Sequence, residues 1–135
     1  NKVTDMGGMF RDASSFNQPL NDWRVDKVTN MSAMFRDAHA FNQPLGDWRV
    51  DNVTYMCWMF HRARAFNQPL NDWRVDQVTD MSWMFYKASS FNQPLGRWQI
   101  REGCNTDGMF SNTKFDGCTT ENMSERIESS CCAVS

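Results

Sequence analysis

One ten-residue phrase constrains this chain more than anything else in it. FNQPLNDWRV at 16–25 returns as FNQPLGDWRV at 41–50, as FNQPLNDWRV at 66–75 and as FNQPLGRWQI at 91–100, each time 25 residues further on. A fixed period of this length marks a chain built from units that cannot bury their apolar side chains alone and must lean on their neighbours. Written under one another, the copies sort the apolar residues into columns: Phe16, Phe41, Phe66 and Phe91; Leu20, Leu45, Leu70 and Leu95; Trp23, Trp48, Trp73 and Trp98. Met9, Met34, Met59, Met84 and Met109 form another, each followed by a phenylalanine. With ten Met, ten Phe and six Trp, the core this predicts is one of rings and thioethers.

Within a unit the apolar spacing changes character. Trp23, Val25 and Val28 alternate with Asp22, Arg24 and Asp26, the period-two pattern of a short half-buried strand. From Met31 the spacing passes through Met34, Phe35 and Ala38, one face of a short helix, with Thr29 placed to cap its first turn. Pro19 and its equivalents fall in the return loop, being unable to donate to a ladder. The expected fold is therefore an α/β solenoid, a leucine-rich-repeat-like stack of 25-residue coils, each a short parallel β-strand plus a short α-helix. Residues 1–115 make about four full coils and a degenerate fifth, in which Gly103, Cys104 and Thr106 stand where Val, Thr and Met are due. Residues 116–135 read as a poorly ordered tail. The Asn-Gln pairs of the repeated phrase are expected to bond the backbone of the adjacent coil.

The phrase FNQPLNDWRVDQVTDMSWMFYKASS resembles the repeat of a domain-of-unknown-function family found in bacterial surface lipoproteins and cell-wall-anchored proteins, often grouped with BspA-like leucine-rich-type repeats. The resemblance covers residues 1 to about 115. It implies a leucine-rich-repeat-like solenoid at a cell surface or secreted, with adhesion or protein binding as its role, and it supplies no ligand. This chain departs from the pattern at Asp26, Asp51 and Asp76, where serine is usual.

Function is expected where the copies differ or face water. The outward rows Asp22, Asp47, Asp72 and Asp26, Asp51, Asp76 flank Arg24, Arg49 and Arg74, and the sign changes at Arg97 and Arg101. One reading is a self-compensated solvated face; the other is a guanidinium row that meets carboxylates of a partner. Trp58 and Trp83 stand where other copies have Gly8 and Ala33, with Tyr55 and Tyr86 beside them, so an aromatic patch is a second candidate contact site.

Catalysis finds no support. Cys57 and His61 are four apart, but a closed zinc site needs four ligands and no second pair is offered. His39 has no nucleophilic or acidic companion at a telling spacing, so no catalytic, metal or cofactor residue is assigned. A net charge of −2 argues against nucleic acid as a partner, and no apolar run reaches the roughly 18 residues of a membrane span. The chain opens on Asn1 inside a unit, which reads as a processed or excised piece. At the other end, CCAVS fits prenylation at Cys132 with Cys131 as a second acylation site, implying a tether on the cytosolic side. Against this, a Cys104–Cys118 disulfide and the glycan-acceptor triplets at Asn30, Asn52 and Asn122 would imply export. The function expected is a non-catalytic module that binds a protein or glycan at a cell surface. The alternative is a structural subunit held permanently in a larger assembly.

Overall fold

The structure, a computed structural model, describes residues 3–113. The units lie against one another in register, joined by isolated parallel bridges that run from Asp5 to Asn30, Tyr55, Asp80 and Asn105. The α/β coil of strand plus helix is not what the chain forms: among the described residues there is no helix, and sheet pairing is confined to those single-residue bridges. Each unit is instead a succession of tight turns.

The stretch Met31–Ala38 shows why no helix forms. The amides of Met34, Arg36 and Ala38 donate three residues back, to the carbonyls of Met31, Ala33 and Phe35 at 3.0–3.3 Å. The alternate amides of Met31, Ala33, Phe35 and Asp37 leave the unit altogether and donate to Tyr55, Cys57, Met59 and His61 of the next one at 2.8–2.9 Å. Ala33 and Asp37 have φ of 56° and 59°, as the third residue of a type II turn requires and as a right-handed helix forbids. A helix would consume every amide internally and leave none for the neighbour. The same inward set is nonetheless reached: Met31, Met34, Phe35 and Ala38 are all fully buried. Over so short a run, overlapping turns and a helical turn bury the same positions.

The threonines do not cap a helix either. Thr29 Oγ donates to the Thr4 carbonyl, Thr54 to Thr29 and Thr79 to Thr54, each at 3.2 Å, so that the hydroxyls tie unit to unit.

The opposite arc of each unit holds its neighbour by side chains. Turns closed by Trp48 N–H to Leu45 O and Val53 N–H to Val50 O enclose the Trp-Arg-Val stretch and shorten it below strand length. Its alternation survives, with Trp48 and Val50 buried and Arg49 exposed. The indole Nε1 groups of Trp48, Trp73 and Trp98 donate to the carbonyls of Leu20, Leu45 and Leu70 at 2.8–2.9 Å. Asn17, Asn42 and Asn67 each accept, through Oδ1, the backbone amide of the next asparagine at 2.9 Å and the following glutamine Nε2 at 3.0–3.1 Å.

Two piles of phenylalanine fill the space between the arcs. Phe10, Phe35, Phe60, Phe85 and Phe110 stack at 5.5–5.6 Å, Phe16, Phe41, Phe66 and Phe91 at 5.9–6.0 Å, with rings within 10° of parallel. Within a unit the two piles meet at 4.2–4.4 Å. On the first described unit Met9 and Trp23 are 45% and 40% exposed, whereas their equivalents Met34 and Trp48 are 0% and 3%.

Candidate binding surface

The arginine row is exposed and lies open. Arg24, Arg49 and Arg74 make no ion pair among the described residues, so the aspartate rows beside them do not neutralise them by contact. Where the sign changes, Arg97 pairs with Asp72 at 2.7 Å, both side chains being 73% exposed. An ion pair that exposed contributes little to stability.

The aromatic candidates sit on the turn run, at the column Gly8, Ala33, Trp58, Trp83 and Gly108. Every member has positive φ, between 56° and 67°, and in two of the five units the position carries a tryptophan. Glycine accepts this backbone freely, whereas a side chain there costs about 1–2 kcal/mol. Trp58 is half-buried: the Arg36 guanidinium lies over its ring at 4.2 Å and His61 stacks on it at 5.0 Å. His61 in turn stacks with Tyr86 at 4.8 Å, and Tyr86 meets Trp83 edge-on at 5.4 Å and carries the Lys87 ammonium over its ring at 5.3 Å. Trp83 remains 38% exposed, and its ring occupies the space a Cβ on Gly108 would need. Tyr55 is 51% exposed at the bridge column, where it replaces the Asp or Asn that elsewhere accepts an amide two residues on.

The structure thus brings Trp58, Trp83 and Tyr86 together and adds Arg36 and Lys87, together with His61, which the sequence singles out only beside Cys57 as an incomplete metal pair. The signal for Arg36 and His61 was the column Arg11, Arg36, His61, Tyr86 and Ser111, which changes chemistry at nearly every unit, and that for Lys87 the next column, Asp12, Asp37, Arg62, Lys87 and Asn112. At the near end of this ridge Asp37 gathers basic side chains: Arg62 Nε at 3.2 Å, His39 Nε2 at 3.6 Å and Arg36 Nε at 3.7 Å. These are ion pairs by distance without hydrogen-bond direction, since the three nitrogens find no directed acceptor. Burial, and then the Arg36 charge, pushes the His61 imidazole below its ordinary pKa.

The cysteines tell little of a site. Cys57 Sγ rests on Ser32 Oγ at 3.2 Å, away from any second ligand pair, while burial and the Asp80 carboxylate push the Cys104 thiol up to about 11. Its proposed mate Cys118, the acylation candidates Cys131 and Cys132 and the glycan acceptor Asn122 lie outside the described residues. Asn30 is already engaged, accepting from Ser32 N–H and donating to Asp5, and Asn52 donates to the Asp26 carbonyl. Among the described residues no helix is long and apolar enough to cross a membrane.

These observations define a chain of in-register turn units with a variable outer ridge, and comparison with known families gives that class its place. The chain belongs to the family described as Mycoplasma protein of unknown function, DUF285, whose model matches residues 4–123. The grouping with BspA-like repeats does not follow from this match. No curated protein and no solved structure matches the chain.

Proposed function

We propose that the chain is a non-catalytic binding module that holds a protein partner, at a cell surface, through the ridge of Trp58, Trp83 and Tyr86. The observation that supports this most is Trp83: a large apolar ring, 38% exposed, on a left-handed backbone position that Gly8 and Gly108 occupy in other units. Stability gives no reason to place it there, whereas exposed aromatics on a rigid support are what contact sites are made of. Arg24, Arg49, Arg74 and Tyr55 are the secondary candidates, exposed on the same rigid frame. The cell-surface setting rests on the resemblance to surface-protein repeats.

Photocrosslinking of the purified chain to proteins of the cell that produces it, with the captured species identified by mass spectrometry, tests this. Trp83→Gly should remove the captured species while moving the Tm by no more than about 5 °C, the shift that roughly 1 kcal/mol produces in a domain of this size. A larger fall in Tm would make the ring part of the core, and retained capture would remove the ridge from the contact. A second reading, a structural subunit of a larger assembly, draws on the apolar Met9 and Trp23 that the first described unit leaves in water. Sizing separates them: a monodisperse monomer supports the binding module.

A further inference from the structure

Resting on that reading of the ridge, we infer that acid releases its partner: the neutral imidazole of His61 is the ring that joins Trp58 to Tyr86, and protonation drives it out of the stack and breaks the ridge apart. Three observations carry this. The first is position. His61 stacks with Trp58 at 5.0 Å and with Tyr86 at 4.8 Å, and Tyr86 passes the contact on to Trp83 at 5.4 Å. His61 itself is only 8% exposed, so the aromatic surface a partner meets is assembled on a buried titratable ring.

The second observation is the ring's hydrogen bonding. His61 Nδ1 is buried and has no hydrogen-bond partner. A neutral ring can leave that nitrogen as a bare acceptor, whereas an imidazolium carries N–H on both nitrogens and would bury a charged donor with nothing to receive it. The third is the charge around the ring. Arg36 lies over Trp58 at 4.2 Å and Lys87 over Tyr86 at 5.3 Å, so both flanking rings already hold a cation, and Arg62 adds another charge of the same sign. Any attraction of an imidazolium to those rings is opposed by these like-charged neighbours. The carboxylate that favours the proton, Asp37, is already shared by Arg62 at 3.2 Å, His39 at 3.6 Å and Arg36 at 3.7 Å. Burial first, and then chiefly Arg36, holds the imidazole below its ordinary pKa of 6.5. The niche thus fits the neutral ring, and acid favours whatever arrangement carries the ring to water.

Proton NMR of the full chain tests the stack without a partner. The chain has two histidines, so comparison with His61→Phe assigns the His61 ring signals. Its two neighbouring rings should displace those signals upfield at about pH 8, and the displacement should vanish as His61 titrates toward about pH 5. A ring that takes up its proton and keeps the upfield position overturns the inference, and so does unfolding of the whole chain over the same range. Capture of the cellular partner by crosslinking should fall about tenfold or more between the two conditions, the loss expected when the competent state drops to about a tenth of the population. In His61→Phe the ratio of capture at the two pH values should return to about one, whereas His39→Gln should keep the ratio of the unaltered chain. An acid-sensitive ratio in His61→Phe overturns the inference. Should capture be abolished by Trp83→Gly yet indifferent to pH, the switch falls and the binding module stands. Should capture survive Trp83→Gly, the module reading falls, and with it the release of a partner from this ridge.

Discussion

The two arcs of each unit grip their neighbours by different means. On the turn run, backbone amides cross from unit to unit at every second residue, so that the outward side chains of the run are not needed for the crossing hydrogen bonds. On the Asn-Gln-Pro-Leu and Trp-Arg-Val arc the crossing is made by asparagine amides, glutamine amides and indole nitrogens. The consequence is visible in the sequence. Asn17, Asn42 and Asn67 repeat without variation because each is itself the connector, whereas Gly8, Ala33, Trp58, Trp83 and Gly108 share one backbone conformation while carrying three different residue types. Cohesion by main chain leaves the surface free to vary; cohesion by side chain does not.

Substitutions can break this contrast. The largest effect is expected from Trp73→Phe on the side-chain arc, which removes the buried indole bond to the Leu45 carbonyl, leaving that carbonyl the Trp48 amide alone, and removes ring volume beside Trp48. A loss of about 2–3 kcal/mol, read from urea unfolding, would follow from one lost buried hydrogen bond together with a cavity left by the smaller ring. Asn67→Ala should come next, at about 1–2 kcal/mol, because one side chain there serves both the Asn92 amide and the Gln93 amide. Retention of full stability would mean that the asparagine column is decoration and the contrast false.

The ridge offers a sharper test through pH. His61 has its folded pKa lowered from 6.5, first by burial and then by Arg36, so the unfolded chain takes up its proton before the folded one does. Its contribution to stability is present above pH 6.5 and declines as the pH falls from there through the folded value. Subtracting the Tm profile of His61→Phe, which keeps a ring between Trp58 and Tyr86, should isolate that decline; parallel profiles would place His61 in water. The smallest effect is expected from Thr54→Val on the main-chain arc, under about 0.5 kcal/mol, because the Thr29 carbonyl that loses the hydroxyl keeps the Thr54 amide at 2.8 Å.

What could be read from residues alone followed the same division. Columns such as Phe35, Phe60 and Phe85 are matters of spacing, and spacing is written in the chain. Strand and helix are not distinguished from turns by spacing, because periodicity reports only which side chains turn inward. Met31, Met34, Phe35 and Ala38 turn inward equally well on overlapping turns. The information that separates the two lay in the left-handed positions: Gly8, Gly108, Asp12, Asp37 and Asn112 tolerate positive φ, and their spacing of four hints at turns. Ala33, Trp58, Trp83, Arg62 and Lys87 occupy equivalent positions and hide that hint, since their conformation is held by the carbonyls of the adjoining unit, to which their own amides donate. At the surface, Trp58, Trp83 and Tyr86 stood out as departures from the repeat. Arg36 and His61 did not, because stacking between units 25 residues apart becomes visible only once the units are laid together.

Each unit is joined to the next by bonds in both directions, Met6 N–H donating forward to Asn30 O and Thr29 N–H back to Thr4 O, and the pattern repeats seam by seam to Asn105. Tension applied between the two ends would therefore load these seams in series, each bearing the full force, and a chain so built would extend in discrete steps.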